Sequence, residues 1–107
     1  MNIKKIAGDM DIEEEQYLKL LNIFFKAARS DMSKLQFAIE ERNLDQIIYI
    51  AHQIKGAAIN LDFGELFKMA ERIEKDARDG EFEKIPEKFQ KLRKMFEAVV
   101  NSFKCLL

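Results

Sequence analysis

His52 is the only histidine of the chain, and it is followed by Lys55 three residues on and by Gly56 four residues on. A neutral imidazole is a nucleophile, and an unperturbed one, with a pKa of about 6.5, is mostly neutral in the cytoplasm. A cation one helical turn away disfavours the imidazolium form and can balance negative charge that the ring acquires. A glycine in a helix interior costs about 1 kcal/mol relative to alanine, so it needs a use, and leaving room beside the ring is one. These types at this spacing fit an imidazole that accepts a phosphoryl group, with Lys55 balancing its charge and Gly56 leaving clearance for an incoming active site. Ile48, Tyr49 and Ile59 lie on or near the same line and would supply docking surface. Each residue alone has a plainer reading: a solvated histidine, a solvated cation, a close helix contact at Gly56, and isoleucines at the edge of a wide buried stripe or in a dimer contact. Only the combination points to chemistry.

The elements that carry these residues read as helices nearly throughout, because apolar residues recur at steps of three and four. The first segment runs from about Ile12 to Arg42, with Asp11 and Glu14 spaced as a capping box. Tyr17, Leu20, Leu21, Phe24, Ala28, Leu35, Ala38 and Ile39 form its stripe. That phase survives residues 28–31, which favours one long helix; Asp31 falls on the stripe and leaves room for a bend or local break there. The second helix, about 44–61, follows Asn43, a cap answered by Gln46. It buries Leu44, Ile47, Ala51, Ile54, Ala58 and Leu61 and carries His52 roughly 120° from the stripe's centre at 100° per residue, on the flank or outer face. The third starts near Asp62, with Glu65 completing a second capping box. It buries Leu66, Phe67, Ala70, Ile73 and Ala77, and stops at Asp79–Gly80 because glycine readily takes the left-handed stop conformation. The fourth starts at Pro86 and buries Phe89, Leu92, Phe96, Val99, Phe103 and Leu106. Short connections favour antiparallel neighbours, so the expected fold is all-α: an up-down-up-down four-helix bundle over residues 1–107 as one domain, with residues 1–8 as a short N-terminal extension. The nine phenylalanines and five methionines at helical spacing read as core filler.

Composition narrows the function. The net charge of −1 supplies no basic field for nucleic acid. Charges of both signs are finely mixed, so no polybasic block suggests a membrane surface, and no apolar run approaches the roughly 18 residues of a spanning helix. The start holds no stretch apolar enough for a signal peptide. The one cysteine, Cys105, builds neither a disulfide framework nor a multi-thiolate metal site, and the chain reads as reduced and cytoplasmic. A metal or haem bundle is disfavoured by the single histidine and the lack of an E-x-x-H pair. Glu71 and Glu74 read as solvated helix charges.

Ala51, His52, Lys55 and Gly56, with Leu66, Ala70, Ile73, Glu74, Arg78 and Gly80 downstream, resemble the motif of the histidine-containing phosphotransfer (HPt) domain. The resemblance covers roughly residues 12–104. Many members carry glycine ten residues after the histidine; here that position is Asp62, and Gly64 comes two residues later. The resemblance implies a phosphorelay carrier without a kinase or nucleotide site of its own. His52 would accept a phosphoryl group on Nε2 from a receiver-domain aspartate and pass it to another receiver. The implied partners are receivers of response regulators or hybrid histidine kinases, which bring their own Mg²⁺; the chain would bind no cofactor and act as a monomer. Two alternatives stand beside it: the phosphoacceptor domain of a chemotaxis-type histidine kinase, and a helical module that docks a receiver or kinase without phosphotransfer.

Overall fold

A computed structural model describes residues 3–104, so Cys105 and the expected core residue Leu106 lie outside the described residues. The chain folds as an all-helical bundle. A short helix α1 (Ile3–Asp9) precedes α2 (Glu14–Glu40), α3 (Leu44–Asn60), α4 (Gly64–Arg78) and α5 (Ile85–Phe103), and one turn of 3-10 helix (Phe82–Lys84) leads into α5. At 1.5 Å per residue α2 is about 40 Å long and accounts for the 42 Å long axis of the molecule. The most extensive packing is between α3 and α4; α2 packs on α3, α5 on α4, and α1 on α2. Buried apolar side chains from all five helices form one cluster. Its aromatic end gathers Tyr17, Phe24, Phe25, Phe63, Phe96 and Phe103 in edge-on and tilted contacts.

Four helices stop in the same way. The backbone N–H groups of Asp11 and Ile12 donate to Gly8 and Ala7, those of Arg42 and Asn43 to Ile39 and Ala38, those of Asp62 and Phe63 to Ile59 and Ala58, and those of Gly80 and Glu81 to Ala77 and Asp76. Each is a Schellman motif, whose hinge residue adopts the left-handed conformation. Gly80 does so at φ 71°, but the other three hinges are Asp11 (φ 57°), Arg42 (φ 53°) and Asp62 (φ 63°).

This geometry corrects two expected caps. An N-cap needs extended backbone, which a residue with positive φ does not have. Asp11 closes α1 and does not cap α2; Gln16 Oε1 accepts from the Glu13 N–H at 3.3 Å instead, in a capping box centred on Glu13. Asp62 closes α3, Phe63 takes the N-cap position of α4, and Gly64 begins that helix. The Asn43 cap is present, its side chain accepting from the Gln46 N–H at 3.2 Å. The favoured single helix is what forms: α2 stays helical through residues 28–31, Met32 takes the inward place, and Asp31 sits half-buried at the flank. Burial there pushes the Asp31 carboxyl above its ordinary range, with Lys34 opposing.

Candidate functional site

His52 lies eight residues before the end of α3, and Glu74 ten residues after the start of α4. The rise of a helix puts them about 12 Å and 15 Å from the shared turn, at matching heights on two packed helices. The His52 side chain is 61% exposed, whereas that of Glu74 is 7% exposed. The two meet through His52 Nδ1 and Glu74 Oε2, 3.2 Å apart.

Glu74 is held at both oxygens. Lys55 Nζ lies 2.8 Å from Oε1. Arg78 donates to Oε2 from Nε at 3.2 Å and from Nη2 at 2.8 Å. Burial alone would raise the Glu74 pKa, but the hydrogen bonds from Lys55, Arg78 and His52 outweigh it and bring the carboxyl from 4.5 down to about 2. Glu74 is therefore ionised at neutral pH. An ionised carboxylate only accepts hydrogen bonds, so His52 Nδ1 must carry the proton it donates. This assigns the tautomer of the neutral ring: Nδ1–H toward Glu74, and the lone pair on Nε2. Two cations against one carboxylate leave one net positive charge beside the imidazole.

The remaining candidate residues fall in several places. Lys55 is not a free surface cation; its side chain is 21% exposed and pairs with Glu74. Gly56 has nothing within 4 Å of where a Cβ would stand, so no close helix contact within the chain accounts for it. Tyr49 and Ile59 are exposed. Ile48, expected as docking surface, is instead partly buried against the core, because the flank of α3 that faces α4 is covered. The large exposed apolar side chains among the described residues are Leu20, Ile23 and Phe37 on α2, and Tyr49 and Ile59 on α3. Leu20 was expected in the core. The exposed residues of α4 are largely charged, among them Glu65, Lys68, Glu71, Arg72, Lys75 and Arg78.

Reading Glu74 as a solvated charge was wrong: it is one of two buried acidic residues among the described residues, with Asp76, which pairs with Lys88 of α5. The available signal was its place beside the Ile73 stripe, four residues before Arg78, so that both lie on one flank of α4. Glu71 is exposed as expected. Among the described residues no three His, Cys, Asp or Glu side chains are placed to hold a metal ion, and no helix is long and apolar enough to cross a membrane.

Comparison with curated proteins and with solved structures returns no match. A family model described as the Hpt domain matches residues 19–102, a span that includes His52, Lys55, Gly56, Glu74 and Arg78. With the match running from the first turns of α2 to the last turn of α5, the chain belongs to the Hpt domain family.

Proposed function

We propose that this chain is a phosphorelay carrier, an antiparallel up-down-up-down bundle whose His52 Nε2 takes a phosphoryl group from the aspartyl phosphate of one receiver domain and yields it to the aspartate of another. The observation that carries the reading is the bond from His52 Nδ1 to a buried, ionised Glu74, with the ring otherwise open to solvent. In the forward step the Nε2 lone pair attacks phosphorus in line. The P–O bond to the receiver aspartate breaks, and its electron pair leaves with that carboxylate. The ring gains positive charge, which the Nδ1–H shares with Glu74. The return step is the same path reversed, with neutral imidazole leaving. No proton has to enter or leave the ring in either direction.

Lys55 and Arg78 offset the charge of the bound phosphoryl group, while the rigid helix supplies orientation. The receiver contributes its own aspartate and Mg²⁺, and this chain needs neither a nucleotide nor a cofactor. Gly56, one turn from His52, leaves clearance for the partner. Tyr49 and Ile59, with Leu20, Ile23 and Phe37 across the α2–α3 surface, form the apolar docking area around it. The carrier works as a cytoplasmic monomer.

The test is His52→Gln. Incubated with a phosphorylated receiver, the wild-type chain should acquire an acid-labile label, while the variant stays folded and unlabelled. A labelled His52→Gln chain defeats the assignment, and a wild-type chain that no receiver labels defeats the carrier reading.

A further inference from the structure

We infer that Arg78 is a positioning residue of this site: its guanidinium fixes the Glu74 carboxylate, and that carboxylate fixes which nitrogen of His52 carries the proton. The inference rests on the carrier reading only for its kinetic consequence. The geometry stands apart from it.

Two ion pairs near the end of α4 share the same four-residue spacing, Lys75 with Asp79 and Arg78 with Glu74. The first joins two exposed side chains at 3.3 Å and has the character of an ordinary surface pair, worth little. The second differs in its acceptor. Glu74 is buried and Arg78 is 58% exposed, so the arginine reaches inward from the rim to a carboxylate that solvent hardly touches. Both Nε and Nη2 converge on Oε2, the oxygen that also meets His52 Nδ1.

A glutamate carboxylate turns easily about its last torsion. Lys55 on Oε1 restrains one oxygen with a single ammonium, which tolerates such turning. The two-pronged contact of Arg78 on Oε2 supplies the second restraint and keeps that oxygen facing the imidazole. A lysine at position 78 would bring a charge without the planar fork. Arg78 is the last residue of α4 before the stop at Asp79 and Gly80, so the helix end sets the reach of the guanidinium.

The experiment reads the ring directly. In ¹⁵N-labelled full-length chain at mildly alkaline pH, long-range proton–nitrogen correlations report the tautomer of the neutral His52 ring. Wild type should show the Nδ1–H form. Arg78→Gln should lower that fraction by at least about twofold, and Arg78→Lys should fall between the two. Transfer from a saturating phosphorylated receiver should drop about tenfold in Arg78→Gln, with the half-saturating receiver concentration unchanged within about twofold. Circular dichroism melts establish that both variants are folded; should Arg78→Gln not fold, Arg78→Lys decides by the same readout. A wild-type tautomer ratio in the folded variants overturns the inference, whatever the transfer rate does. So does a loss seen only in the half-saturating concentration, which would make Arg78 a docking contact. The tautomer needs no phosphoryl donor, so a wild-type chain that fails to take up label would sink the carrier reading and leave this result standing.

Discussion

Gly56→Ala separates stability from function with the smallest possible change. The position lies in the interior of α3, and it is not among the residues with positive φ. A Cβ built there meets nothing within 4 Å, so alanine introduces no clash and fills no internal gap. What remains is intrinsic helix propensity, about 1 kcal/mol in favour of alanine. For a domain of this size that corresponds to a rise in Tm of about 4–8 °C. The new methyl group stands one turn from His52 on the same side of the helix, in the space where a partner's active site would close on the ring. Thermal melts and transfer kinetics with one phosphorylated receiver should therefore move in opposite directions: the variant melts higher and transfers several-fold more slowly. Gly56→Leu should deepen the kinetic loss to more than about tenfold and keep the helix folded, since leucine is also a good helix former. A lower Tm in Gly56→Ala would mean that the glycine serves packing inside the chain. Undiminished transfer in both variants would refute the clearance argument.

Glu74 makes stability depend on acid. Its carboxyl falls from 4.5 to about 2 on folding, so its contribution is present above pH 4.5 and is lost as pH falls from there toward 2. The shift amounts to roughly 3 kcal/mol; Glu74→Gln should unfold with a flatter acid profile, and superimposable profiles would refute the linkage. Lys55→Ala leaves Glu74 Oε1 without its cation and should cost about 1–3 kcal/mol in a denaturant titration. It should also slow transfer more than it weakens receiver binding, and equal losses would make the lysine chiefly a contact residue. Asp62→Gly relieves a left-handed non-glycine hinge at φ 63° and should add about 0.5–1 kcal/mol, read as a higher denaturant midpoint; a lower midpoint would mean that the aspartate side chain itself stabilises the turn.

The helices and most of the core were legible because burial on one face imposes its period on the sequence. Most of the expected stripe residues of α3, α4 and α5 sit inside, with Leu44, Phe67 and Val99 only partly covered. The shortfall on α2 has a geometric cause. That helix packs on α1, α3 and α5, so its buried arc is wider than one stripe and takes in Phe25, which meets Phe96 and Phe103 of α5, and Met32. The helix stops were less legible. A Schellman hinge announces itself when it is glycine, as at Gly80. Asp11 and Asp62 were read instead as N-caps, the role an aspartate more commonly plays between helices. Asp62 stands where many HPt domains have glycine, and it adopts the conformation that glycine would supply.

That turn also explains what was missed at the site. His52, Lys55 and Gly56 are related by spacing along a single helix, so their mutual placement follows from helical geometry alone. Glu74 and Arg78 are likewise one turn apart on α4. The meeting of the two groups depends on the register of α4 against α3, which the hinge at Asp62 and the start at Gly64 determine. With the start of α4 placed near Asp62, periodicity could put Glu74 at the edge of its helix but could not aim that edge at the histidine.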